Sequence, residues 1–155
     1  MESQQLSLSS ILSPCLYFLS ASGTNRISRF DTDGVFLNSF YTGSDFGISQ
    51  ELYEVPANGN IAVSAFQTPS GLAILNSSGT FIKLLTGITG NRGVELLGNG
   101  HFLVTNATGA HEIDSATGSL IRTITLSPNF QYATKYEIPN PYLRLKINLE
   151  ACTIA

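Results

Sequence analysis

A glutamate in an apolar setting recurs three times along the chain, at Glu54, Glu95 and Glu137, with steps of 41 and 42 residues. Carboxylates gathered at one level of a fold could bind a hard cation such as Ca²⁺ or a cationic ligand. A structural reading competes with this one: each glutamate would accept hydrogen bonds from the backbone of the next repeat. Repetition favours the structural reading, and the three residues are predicted ligand-binding candidates with no metal assigned.

Other chemistry-bearing residues are sparse. Asp31-Thr32-Asp33-Gly34 resembles the start of a calcium loop, but Thr42 stands where an EF-hand needs its last glutamate, so a hairpin turn is expected. His101 and His111 fall in adjacent predicted strands without evident partners. The sequence contains no nucleophile elbow and no phosphate-binding loop, so no catalytic residue is assigned.

Turns place these residues in a repeat of about forty residues. Turn glycines at Gly34, Gly79 and Gly118 are separated by 45 and 39 residues, and Asn58-Gly59 and Asn99-Gly100 by 41. Short apolar segments lie between the turns. A period in the forties with turn-separated strands indicates four strands per repeat, as in one blade of a β-propeller.

The repeat predicts an all-β fold, a partial, open propeller of about three four-stranded antiparallel blades in a single domain spanning 1–155. The predicted blades cover residues 5–41, 51–86 and 93–125, and an incomplete fourth covers 133–149. Residues 5–13 would be a degraded inner strand in which Ser10 replaces the glutamate. An open arc leaves an apolar sheet face bare at each end. We therefore expect completion by oligomerisation, by a longer parent chain or by a partner.

Composition excludes several classes of partner. Hydrophobic residues make up 43% of the chain, charged residues 12%, and the net charge is −3. This balance argues against binding to nucleic acid or to an anionic membrane. No segment approaches the roughly 20 apolar residues of a membrane span, and no clear signal peptide precedes the repeats. A soluble protein of undetermined compartment is expected.

Two cysteines lie near opposite ends, at Cys15 and Cys152. Two unpaired thiols are the simpler expectation. A disulfide would require the first and last blades to be neighbours, which a closed ring allows and an open arc forbids.

The segment from Leu16 to Leu37 resembles an NHL repeat. It combines the apolar strand Leu16–Ser20, a turn reading Gly23-Thr24-Asn25-Arg26-Ile27, and Phe30-Asp31-Thr32-Asp33-Gly34. The match is looser in the second and third repeats, which lack the Asn-Arg-Ile element. NHL-like propellers include ligand-binding sensors, modules that bind protein or RNA, and calcium-dependent lactonases, so the resemblance implies a fold more than an activity.

Three functions remain open. The first is a non-catalytic module that binds a protein or small ligand and self-associates through its terminal blades. The second is a lactonase- or hydrolase-like enzyme with a cation, Ca²⁺ for example, held by channel carboxylates. The third is a truncated propeller fragment without independent activity.

Overall fold

The computed structural model describes residues 16–21, 24–126 and 129–136, and this part of the chain is all-β. It contains eleven strands and no helix, which confirms the predicted class. In the same residues no helix is long and apolar enough to cross a membrane. The predicted strand 5–13, Glu137, both cysteines and most of the predicted fourth blade lie outside the described residues.

The strands form three antiparallel sheets in which hydrogen-bonded neighbours are also neighbours in sequence. Sheet one contains β1 (Tyr17–Ala21), β2 (Arg26–Phe30) and β3 (Phe36–Thr42). Sheet two contains β4 (Ser49–Val55), β5 (Asn60–Ala65), β6 (Gly71–Leu75) and β7 (Phe81–Leu85). Sheet three contains β8 (Gly93–Leu96), β9 (Phe102–Thr105), β10 (Gly109–Ile113) and β11 (Leu120–Leu126).

In every sheet, an Asp or Asn side chain accepts backbone hydrogen bonds that close the hairpin before the last strand. Oδ1 of Asp31 accepts the backbone N–H groups of Asp33 and Val35, at 3.0 and 2.8 Å. Asn76 and Asp114 make the same kind of turn in sheets two and three. Short polar side chains stabilise turns by bonding the backbone two residues on. The aspartates at 31 and 33 therefore belong to a hairpin turn, as the sequence predicts.

Two apolar layers join the sheets. The first layer, between sheets one and two, contains the buried residues Ile27, Phe40, Phe46, Ile61 and Val63. The second layer, between sheets two and three, contains Ala62, Leu72, Leu85, Val94, Phe102, Val104 and Ile113. Sheet two is covered on both faces, so β6 is buried along its whole length. Such strands read as continuous apolar runs, because neither face meets water.

Candidate functional site

Glu51 connects β4, the first strand of sheet two, to β8 and to the segment 129–136. The pairing between β4 and β5 is irregular from Ser49 to Leu52, and Glu51 lies in this irregular part of β4. Its Oε2 accepts the backbone N–H of Val94 at 2.7 Å and that of Ala133 at 3.3 Å. Burial raises the pKa of Glu51; the two N–H donors oppose that rise, and the charge of Glu95 adds to it.

Glu95 on β8, the first strand of sheet three, likewise accepts backbone hydrogen bonds. It is largely buried, and its Oε2 accepts the backbone N–H of Lys135 at 3.0 Å while Oε1 accepts that of Leu96 at 2.9 Å. The carboxylate also lies near Tyr53, whose pKa is raised by burial first and by the Glu95 charge second. Glu95 therefore binds backbone donors of the segment that follows sheet three.

Glu54 lies in a different environment. Its side chain is exposed and accepts no hydrogen bond from another described residue. Leu52, two residues earlier on the strand, packs in the layer toward sheet one, whereas Tyr53 and Val55 pack toward sheet three. Because side chains alternate along a strand, Glu54 faces the sheet-one side.

Glu54 and Glu95 are consequently not at equivalent positions, although the sequence predicts one level for both. Glu54 pairs with Ile61, whereas Glu95 pairs with Leu103, one residue further along its partner strand. The cause is turn length. Four residues separate the pair Val55 and Asn60, but only three separate Leu97 from His101, whose backbone groups bond at 2.8 Å. A shift of one residue reverses the face on which a side chain lies.

A charged cluster that the sequence did not reveal surrounds Glu112 on β10. Its Oε1 lies 2.7 Å from Nδ1 of His101 and accepts a hydrogen bond from the Asn99 amide at 2.7 Å, and Nε of Arg122 donates to Oε2 at 2.6 Å. Bonds from His101, Arg122 and Asn99 lower the pKa of Glu112 to about 2. The carboxylate is nearly inaccessible to water, so its charge is neutralised within the protein.

His111 has separate partners. Its Nδ1 lies 3.1 Å from the Thr123 hydroxyl, and its Nε2 lies 3.2 Å from Oδ1 of Asn106. Burial lowers its pKa. His101 and His111 share no hydrogen-bond partner, and within the described residues no group of three or more His, Cys, Asp or Glu side chains could hold a metal ion.

Sequence reasoning missed Glu51 and Glu112. Glu51 lies where the pairing of β4 with β5 is irregular, and neither a turn residue nor a periodic pattern in the sequence marks such an irregularity. Glu112 was detectable in part, because the hairpin pairing sets it directly across from Arg122 and opposite charges facing each other across strands attract. His101 lies in the turn between β8 and β9, and no local sequence pattern indicates that it meets Glu112.

Among the described residues, two open clefts lie beside β4 and β8. The first is a groove of about 520 Å³ between β1 and β4, lined mainly by Leu16–Ser20, Glu51, Leu52, Glu54 and Ile61. The second, of about 420 Å³, lies between sheet three and the segment 129–136 and includes Glu95, Thr105, Phe130 and Lys135. Each combines apolar walls with carboxylate oxygens, a lining suited to apolar chain segments with hydrogen-bond donors.

Comparison with known proteins gives similarity at the level of fold. Neither a known protein family nor a curated protein sequence matches this chain. The computationally designed Ika4 protein is similar with a TM-score of 0.57 and 13% identity, over 79% of this chain and 74% of that one. A putative exported protein of Bacteroides fragilis NCTC 9343 is similar with a TM-score of 0.54 and 15% identity, over 74% of this chain and only 35% of that one.

Proposed function

We propose that the chain forms three consecutive blades of an NHL-like β-propeller and acts as a non-catalytic protein-binding module. Support for the architecture comes from the chain-order pairing within each sheet and the two apolar layers between sheets. On this proposal each sheet is a blade, and the segment 129–136 begins a fourth.

The exposed apolar face of sheet one carries the proposal. Tyr17 and Leu19 are exposed and alternate with Phe18, which packs into the first apolar layer. Phe30 and Phe36, whose ring centroids lie 5.7 Å apart, follow Tyr17 across the paired strands. We call Tyr17, Leu19, Phe30 and Phe36 the free face of sheet one. Apolar side chains grouped on one exposed sheet face mark a candidate protein interface, and the Arg26 guanidinium lies 5.5 Å from the Phe36 ring centroid beside them.

The far end of the molecule is apolar as well. Strand β11 is exposed along its whole length and includes Leu120, Ile121, Ile124 and Leu126. Covering apolar surface is favourable by roughly 25 cal/mol per Å². A second copy of this chain would cover both ends with the kind of surface that already joins the sheets within one copy. The proposed partner is therefore another copy.

Binding is favoured over the hydrolase alternative by the use made of the carboxylates. Glu51 and Glu95 already accept backbone N–H groups, and Glu54 lies on another side of its strand. A catalytic cation needs several oxygen ligands converging on one point. The carboxylates of Glu51, Glu54 and Glu95 are instead distributed over β4 and β8 without converging on one point, which supports the non-catalytic proposal.

Light scattering on the purified protein over a range of concentrations tests the proposal. We expect a discrete species of at least twice the 16.6 kDa chain mass. Leu19→Lys should shift the protein to monomer, because a charge on the free face of sheet one opposes burial. Val35→Lys is the matched control, since Val35 is 57% exposed, Leu19 is 56% exposed, and Val35 lies in a hairpin turn.

A stable wild-type monomer at high concentration would contradict the proposal. Polydisperse aggregates that both lysine variants leave unchanged would favour the third function, a propeller fragment without independent activity. Equal dissociation by the two variants would mean that the free face of sheet one is not the interface.

A further inference from the structure

Within the described residues, sheet one has no counterpart of the strand that begins each of the other sheets. Its pairing order is β1-β2-β3, whereas sheets two and three each contain four strands and begin with β4 and β8. Pairing partners show the equivalence: Ser20 pairs with Ile27, Ser64 with Leu72, and Thr105 with Ala110. Among the described residues, β1 therefore has an unpaired edge where β5 and β9 each have an inner neighbour.

The groove between β1 and β4 lies at this unpaired edge. It is lined by the whole of Leu16–Ser20 and by Leu52 and Glu54 of β4. In sheets two and three, the inner strands β4 and β8 contact each other directly. A strand paired with the free edge of β1 would contact β4 as β4 contacts β8. The groove therefore has the position that an inner strand of sheet one would occupy.

The segment 129–136, at the opposite end of the described chain, lies outside the three sheets and takes the place of a further inner strand. Hydroxyl groups show this: Oγ of Ser20 donates to Ser49 O at 3.5 Å, and Oγ of Ser64 donates to Arg92 O at 2.8 Å. These carbonyls belong to the entries to β4 and β8. Thr105 donates likewise to Gln131 O at 3.5 Å. The same position of each sheet therefore binds the segment that follows it, although the acceptor residues 49, 92 and 131 are 43 and 39 residues apart.

A repeated apolar residue supports this assignment. Phe46 precedes β4 and is fully buried in the first apolar layer. Ile88 precedes β8 and packs against the second layer. Phe130 follows at the same 42-residue step and lines the cleft on sheet three. Residues 46, 88 and 130 therefore occupy corresponding places at the start of successive inner strands.

Burial at equivalent positions of β1, β5 and β9 shows that no described residue covers sheet one as sheets one and two cover the sheets that follow them. Val63 and Val104 are completely buried, because the preceding sheet covers them, whereas Leu19 at the same position is 56% exposed. The turn glycines agree. A Cβ on Gly79 would overlap the Phe40 carbonyl oxygen of sheet one, and one on Gly118 would contact Leu85 of sheet two, but Gly34 has nothing within 4 Å.

We infer that two copies assemble head to tail, and that the inner strand beginning at 129–136 of one copy completes sheet one of the next. This inference rests on the proposed self-association and specifies its geometry. In each copy, the eleven described strands and the segment 129–136 together make up three four-stranded sheets, and two copies close a ring of six, within the usual range of propellers. The register predicts one contact: Leu52 pairs with Val63 and Val94 with Val104, so Tyr136 should pair with Leu19 of the neighbouring copy.

Cysteine cross-linking tests this contact. In a background carrying Cys15→Ser and Cys152→Ser, Leu19→Cys and Tyr136→Cys proteins are mixed and oxidised. We expect a disulfide-linked dimer from the mixture and little from either variant alone, because neighbouring residues across a strand pair fall within disulfide range. Val35→Cys mixed with Tyr136→Cys is the control and should not cross-link.

The alternatives give different products. Dimers of Leu19→Cys with itself would place the sheet-one faces of two copies against each other and overturn the head-to-tail arrangement. An intramolecular disulfide in Leu8→Cys/Leu19→Cys would show that residues 5–13 of the same chain occupy the groove, and would also overturn it. In both cases light scattering would still report an oligomer if the proposed function is right. A wild-type monomer at every concentration would instead refute the proposed function itself.

Discussion

The Glu51 carboxylate and the backbone N–H of Val94 are joined by a 2.7 Å hydrogen bond that spans two sheets. Val94 is buried in the second apolar layer, so its amide has little access to water. A charged acceptor from β4 satisfies it. The connection is therefore part of what holds the first strands of sheets two and three together.

Removing this acceptor should destabilise the protein. Glu51→Ala leaves the Val94 N–H without a partner, and a buried unsatisfied donor costs about 1–3 kcal/mol. Glu51→Gln keeps an oxygen acceptor and should lose less. Urea unfolding measures both. Glu54→Ala is the control, because Glu54 is exposed, and its free energy of unfolding should change by no more than about 0.5 kcal/mol. Equal losses at positions 51 and 54 would contradict the assigned role.

Two carboxylates should give opposite pH dependence. The pKa of Glu112 is lowered from its usual 4.5 to about 2, so its stabilising contribution is complete above pH 4.5 and is lost as the pH falls toward 2. The pKa of Glu51 is raised, so its ionisation opposes folding as the pH rises above 4.5. Unfolding from neutral pH to about pH 3 should show the stability gap between wild type and Glu112→Gln closing on acidification. The free energy of unfolding of wild type, relative to that of Glu51→Gln, should increase on acidification.

The Glu112 interpretation fails if the Glu112→Gln protein keeps a constant difference from wild type over that range. Arg122→Gln serves as a second probe, because it removes one of the donors to the carboxylate. We expect it to raise the pH at which the Glu112 contribution is lost.

Calcium should not stabilise the protein. Glu51 and Glu95 are bound to backbone donors, and Glu54 faces the other side of its strand, so no set of converging oxygens is available among them. The melting temperature with calcium at about 10 mM, roughly ten times the dissociation constant of the weakest extracellular sites, should equal that with a chelator. A calcium-dependent rise that disappears in Glu54→Gln would instead support the cation-binding alternative.

Close approach between sheets one and two should make one turn glycine intolerant of substitution. Gly79 and Gly34 both have positive φ, 89° and 78°, so alanine is strained at either position by roughly 1–2 kcal/mol. Only at Gly79 would the new Cβ also overlap the Phe40 carbonyl oxygen. Thermal unfolding should therefore show a larger loss for Gly79→Ala than for Gly34→Ala. Equal losses would mean that the sheets do not pack as described.

The sequence was informative about local structure and weak about register. Gly34, Gly79 and Gly118 marked the hairpins because turn chemistry is local, and the short apolar segments expected between the turns are strands in the structure, such as β5 and β7. The glutamate alignment did not hold, since a one-residue difference in turn length changes the facing side chain. Local pattern cannot show such a difference, because strand pairing rather than spacing sets the register.

The candidate site was accessible only in part for the same reason. The structural reading of Glu95 agrees with its bond to Lys135, whereas Glu51 depends on the irregular pairing of β4. The Glu112 cluster requires Asn99 and His101, from the turn between β8 and β9, to meet Glu112 on β10 and Arg122 on β11. Contacts that combine three segments have no periodic signature in one sequence.

The central claim is that a second copy completes sheet one, and hydrogen–deuterium exchange of the β1 amides tests it most directly. At high protein concentration we expect peptides covering Tyr17–Ala21 to be protected, because a neighbouring strand would pair with the edge of β1. Dilution below the dissociation constant, or Leu19→Lys, should remove that protection while β5 and β9 remain protected. Fast exchange of β1 at every concentration, or protection that dilution leaves unchanged, would contradict the claim.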